Sequence, residues 1–179
     1  MKLAARKIPD EFIRSIPRGL RILRKHEHDF LLVESLFCPN GHNLVVDSVR
    51  IHDEASIKLK VVIHDEPGLL FVDAFWGSHT KLFSFIPKFC GTEPVIVTAF
   101  CPYCDVEMTE HYHCPQKGCG SERGVRLLLP GGINKIHVCA KLGCPGHELE
   151  VKEIPPKIVR SVSGINYFGA GGKDLFGGF

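Results

Sequence analysis

Apolar and polar positions alternate along much of the chain with a period near two, the pattern of half-buried strands. Residues 43–52 (NLVVDSVRIH) and 57–64 (IKLKVVIH) carry it in places, and the polar DEAS between them predicts a hairpin. Residues 29–37 (DFLLVESLF), 68–76 (GLLFVDAFW), 80–86 (TKLFSFI) and 93–100 (EPVIVTAF) read as further strands, with Gly-Ser-His at 77–79 as a turn. Residues 124–138 read as a hairpin around Pro130-Gly131-Gly132. In residues 8–25, Pro17 and Gly19 interrupt any helical pattern and leave room for short helical turns only. The sequence predicts a mainly β protein of small antiparallel sheets with little helix. Ile-His-Asp-Glu occurs twice, at 51–54 and 63–66. His52, Asp53, His64 and Asp65 are metal-capable side chains, but at the ends of two predicted strands they read as turn residues.

The length of 179 residues and an apolar fraction of 44% suit one ordinary folded domain, or a small domain with an appended module. The pattern divides the chain into a basic N-terminal arm (1–28), a β-rich domain (29–100), a cysteine-rich region (101–160) and a tail of glycines and aromatics (161–179). The net charge of +2 is unevenly spread. Residues 1–25 hold eight basic and two acidic side chains, so the arm is strongly positive and the rest mildly negative. Arg14, Arg18, Arg21, Arg24 and Lys25 are therefore candidates for docking to an acidic partner, protein or nucleic acid. No leader-like segment is evident, and no stretch approaches the roughly 20 apolar residues of a membrane span. The expectation is a cytoplasmic protein that does not enter a membrane. Disulfides are disfavoured there, so clustered cysteines read first as metal ligands.

Seven of the eight cysteines, with one histidine, form four short knuckles: Cys38-Pro-Asn-Gly-His42, Cys101-Pro-Tyr-Cys104, Cys114-Pro-Gln-Lys-Gly-Cys119 and Cys139-Ala-Lys-Leu-Gly-Cys144. A tight turn sets two donors on one side of the chain, at the spacing of two corners of a tetrahedron. Proline fixes such a turn, and glycine allows backbone angles that aim amides at the sulfurs. Four knuckles supply two sites of four ligands, and two Zn2+ per chain are expected, iron being less suited to this spacing. Two pairings are open. In one, 101/104 joins 114/119, and 38/42 joins 139/144. In the other, 38/42 joins 101/104, and 114/119 joins 139/144. The second is favoured by the matching LFCP and AFCP lead-ins, the equal gaps in the last two knuckles and the hairpin between them. His147 is a reserve ligand. His111 and His113 read as outer or solvent-facing groups, and Cys90 as a plain thiol. With all corners filled by protein, the metals are expected to be structural. No catalytic motif is found: Gly-x-Ser-x-Gly and His-Glu-x-x-His are missing, and Gly169–Asp174 fails as a phosphate loop.

The run from Cys101 to Gly120 resembles a zinc ribbon. Residues 38–107, with their Cys/Gly-His knuckle, Asp-x-Pro turn and later Phe-Cys-Pro-x-Cys knuckle, are similar in order and spacing to the small zinc-binding subunit of acetone carboxylase-type complexes. That resemblance implies ligand roles for Cys38, His42, Cys101 and Cys104. The chain departs from it in its single-cysteine first knuckle and in the added segment 114–147. The expected function is a non-catalytic zinc-binding accessory subunit or adaptor on a larger enzyme complex. The alternatives are a zinc-ribbon nucleic-acid-binding protein and a rubredoxin-like electron carrier.

Overall fold

Both copies of Ile-His-Asp-Glu build the same turn in the computed structural model, which describes residues 7–25, 27–88 and 91–167. A five-residue helix, α1 (Asp10–Arg14), comes first, then an antiparallel ribbon of β1 (Leu20–Lys25) and β2 (His28–Val33). Next come β3 (Val45–Ile51), β4 (Glu54–Ile63) and β5 (Glu66–Val72). Ile51 pairs with Glu54 and Ile63 with Glu66, so each connection is a two-residue loop. The loop residues all have positive φ: 53° and 65° at His52 and Asp53, 47° and 65° at His64 and Asp65. That is the type I′ geometry, whose twist matches the flanking strands.

β4 shows the period-2 logic most clearly. Ile57, Leu59, Val61 and Ile63 are buried, while Lys58, Lys60 and Val62 between them are partly exposed. β5 runs along one edge of β4, and β6 (Lys81–Phe83) pairs with β5. The other edge is shared by β3 and β7 (Thr98–Phe100). A second sheet has the order β11-β10-β9-β8, built from β8 (Thr109–His111), β9 (Arg123–Leu128), β10 (Lys135–Cys139) and β11 (His147–Glu150). The last element is α2 (Pro156–Ser163), which lies against β11 and α1. Proline opens it, where a missing N–H costs nothing, and Val159 and Val162 face inward. Among the described residues no helix is long and apolar enough to cross a membrane.

The two larger sheets are stitched by backbone hydrogen bonds, among them Met108 N–H to Ala99 O (2.8 Å) where β7 leads to β8. Phe37 exchanges backbone hydrogen bonds with Leu128, at 2.7 and 3.0 Å. Residues 95–97 run beside 140–142, with Val97 N–H donating to Ala140 O (2.8 Å) and Leu142 N–H to Val95 O (2.9 Å). One apolar core spans the described chain, from Phe12 through Leu36, Val61 and Leu127 to Val162. Between the sheets a cavity of about 100 Å³ remains, walled by residues such as Leu59, Val61, Val97, Val125 and Leu127.

The basic segment differs from the sequence expectation. Leu20–Lys25 is a strand, and Ile8, Phe12 and Leu20 belong to the core. Cys90 and residues 168–179, most of the Gly/aromatic tail, lie outside the described residues.

Candidate metal centres

The connection from β2 to β3 holds the first knuckle. Gly41, at φ 86°, lets the turn close, with Gly41 N–H donating to Cys38 O (2.9 Å) and Cys38 N–H to His42 O (3.1 Å). The connection from β7 to β8 holds the second: Asp105 N–H returns to Cys101 O at 3.0 Å. The register of β7 on β4, and of Phe37 on β9, brings these two turns face to face. Cys38 Sγ stands 4.0 Å from Cys104 Sγ and 3.5 Å from His42 Nδ1, and Cys101 Sγ is 3.9 Å from His42 Nδ1.

The other two knuckles close one end of the four-stranded sheet, between β8 and β9 and between β10 and β11. Gly118 and Gly143, at φ 81° and 84°, precede Cys119 and Cys144. Cys114 Sγ lies 3.7 Å from Cys144 Sγ, and Cys119 Sγ lies 3.7 Å from Cys139 Sγ. In each group the four donor atoms all fall within 4.8 Å of one another.

These separations identify what the clusters fit. A disulfide would need about 2.05 Å between sulfurs, and all seven described cysteines are free. A tetrahedron with Zn–S near 2.3 Å has an edge of about 3.8 Å, close to the observed spacings. The electrostatics point the same way. Burial pushes the Cys101 and Cys144 thiols up to about 11 and Cys114 higher still. Cys104 is held down to about 6, chiefly by the Val106 backbone N–H, with help from Asn40. Cys119 is also lowered: burial raises it, but the Ser121 amide and the neighbouring thiols prevail. Cys104 in one set and Cys119 in the other thus ionise readily beside Cys101 or Cys114 and Cys144, which resist ionisation, and a divalent cation supplies the charge that lets such neighbours ionise together.

Around the donors sits a ring of hydrogen bonds that would temper thiolate charge. The amides of His42 and Tyr103 point at Cys38 and Cys101, each at 3.4 Å, and Asn40 Nδ2 at Cys104, also at 3.4 Å. The amides of Lys141 and Gly146 point at Cys139 (3.4 Å) and Cys144 (3.3 Å). Lys81 of β6 stands near Cys139 and Cys144; burial lowers its pKa and the two thiols oppose that shift. Sequence reasoning missed Asn40, Lys81 and Gly146. Only Asn40 carries a local signal, as a polar residue inside the Cys38–His42 turn.

The structure places the remaining candidates elsewhere. His147 joins neither cluster: its Nε2–H donates to Ile165 O (2.8 Å), and its ring packs on Trp76 and His79. The Ile-His-Asp-Glu repeats form no metal group. His52 Nδ1 instead bonds Asp73 Oδ2 (2.7 Å), and Asp73 also accepts from Ser78 Oγ (2.5 Å). Of the basic side chains, Arg21 pairs with Glu54 (2.9 Å), Arg24 approaches Asp29 (4.0 Å) and Lys25 Nζ donates to His52 O (3.3 Å). Arg14 and Arg18 are exposed.

The fold and these clusters define a mainly β protein with two candidate four-ligand metal sites. One offers three cysteines and a histidine, the other four cysteines. Compared with known proteins, the chain matches no family model, no curated protein and no solved structure. The likeness to the acetone carboxylase small subunit therefore rests on motif spacing alone.

Proposed function

We propose that this is a zinc-binding accessory subunit or adaptor, whose two metals are structural and whose surface docks on a larger protein. The observation that carries the metal half is the pair of four-donor sets at tetrahedral spacing. Four protein donors fill every corner of a tetrahedral ion, the arrangement of structural rather than catalytic zinc. The docking half is supported by large apolar side chains left in solvent: Ile86 is 89% exposed, Ile133 58%, and Tyr103, at the first centre, 51%. Arg21, Arg24 and Lys25 already face groups of their own chain, which favours a protein partner over a run of phosphates.

Elemental analysis of the purified protein tests the metal reading. Two zinc per chain are expected; one or none, or a coloured iron protein, would overturn it. Isolation from native lysate tests the docking reading. The expected result is a stable complex with a defined stoichiometry, and a monodisperse, partner-free chain would count against it.

A further inference from the structure

Outside the two cysteine clusters, the side chains of His111, His113 and Glu122 come together, and each is of a type that can ligate a metal. β8 continues past His111 toward Cys114 in antiparallel register with the chain entering β9. Tyr112 N–H donates to Glu122 O (2.9 Å) and Cys114 N–H to Ser121 O (3.0 Å). Tyr112 is buried, and its ring stacks on His137 with the planes 4° apart and the centroids 4.7 Å apart. Alternation then places His111 and His113 together on the opposite, outer face. Glu122 reaches between them: Oε2 is 3.2 Å from His111 Nε2, and Oε1 is 4.0 Å from His113 Nδ1. All three side chains are exposed, at 81%, 76% and 63%. The neighbouring Arg123 turns away to Glu107 (3.3 Å), leaving the Glu122 carboxylate to the imidazoles.

We propose that His111, His113 and Glu122 form a third, open site for a divalent transition metal such as Zn2+. Two imidazoles and a carboxylate are the donor set of three-ligand sites, which keep a coordination position for water or an incoming ligand. The two imidazoles meet different oxygens of the Glu122 carboxylate, so closing on one ion takes rotation of exposed side chains. This site would differ in kind from the other two. Its oxygen and nitrogen donors are harder than thiolate, its side chains are solvated, and its ion exchanges with solvent. His113 immediately precedes Cys114, so an ion held here would be a chain neighbour of the four-cysteine cluster.

The test uses the untagged full-length protein, loaded with zinc, desalted and analysed for metal, then titrated with further Zn2+ by calorimetry. One additional saturable equivalent is expected. It should disappear in the His111→Ala, His113→Ala double variant and weaken at least tenfold in Glu122→Gln. The absence of a further equivalent, or its persistence in the double variant, overturns the site. Unchanged affinity in Glu122→Gln overturns the three-ligand assignment. The comparison is the difference between wild type and double variant, so it counts this site however many ions the cysteine clusters hold.

Discussion

Gly41 lies inside the first knuckle and Gly146 just beyond the last, and the two are needed for different reasons. Gly41 has φ 86° and open space where a Cβ would go. Gly146 has no such backbone demand, yet a Cβ there would collide with Cys114 Sγ and stand 3.3 Å from Cys144 Sγ. Gly41→Ala is therefore expected to cost about 1 kcal/mol of left-handed strain while both metals stay bound. Gly146→Ala must displace the Cys114 sulfur, and is expected to lose one metal equivalent and to melt at a markedly lower temperature. Metal analysis and thermal melts of the two variants side by side check this. If Gly146→Ala keeps both ions, the geometry described above for the four-cysteine cluster is wrong. The contrast also marks what sequence can tell about a residue. The donor cysteines are readable because each knuckle carries its own proline or glycine, and their grouping is readable from the hairpin that brings Cys119 and Cys139 together. Gly146 is not readable, because its role is its closeness to Cys114, which belongs to a different knuckle far back along the chain. His147 misleads for the opposite reason. It is three residues from Cys144, but β11 turns its side chain toward Trp76 and Ile165.

The two type I′ turns offer a controlled comparison between elements of identical sequence. His64 and Asp65 are exposed and stand at positive φ without glycine. Replacing them with Asn-Gly, the preferred pair for this turn, is expected to stabilise the protein by roughly 0.5–1 kcal/mol. The same replacement at His52-Asp53 should destabilise it. There the His52 side chain is only 5% exposed and bonds the fully buried Asp73, so losing it leaves a buried carboxylate short of a partner. Chemical denaturation of the two double variants decides the matter, and equal effects would show that the His52–Asp73 contact contributes nothing. The β3–β4–β5 meander was legible because alternation and turn residues agree, but the Asp-Glu-Ala-Ser connector read from the sequence is too long: the loop is His52-Asp53, and Glu54, Ala55 and Ser56 already pair with β3 as part of β4. β1 was not, because Leu-Arg-Ile-Leu-Arg-Lys does not alternate cleanly and becomes a strand by pairing with β2. Pro17 and Gly19, which read as breaks in any regular structure, only separate α1 from the strand. α2 was hidden in a similar way: Pro155-Pro156 reads as a break, but here it opens a helix.

At the scale of the whole molecule, the two clusters sit at a seam and at an end of the sheets. The set of three cysteines and one histidine lies at the seam between the sheets, joining the turn after β2 to the turn after β7. The four-cysteine set closes one end of the four-stranded sheet. The space between the sheets is incompletely filled, leaving a cavity of about 100 Å³. Structural zinc contributes about 10–16 kcal/mol of apparent binding free energy per site, against a total domain stability of about 5–15 kcal/mol. An ion bound in either set would thus match the whole margin, and a single core joins both sheets and both helices. Chelation is therefore expected to unfold the described chain in one cooperative step, with far-UV and near-UV circular dichroism lost together. Calorimetry of the metal-loaded protein should likewise show one transition. Cys38→Ser and Cys139→Ser, each disabling one set, should unfold the same unit rather than separate halves. Two resolved transitions, or a β-sheet spectrum that survives removal of both ions, would show that the sheets are held by packing and that the clusters are surface features.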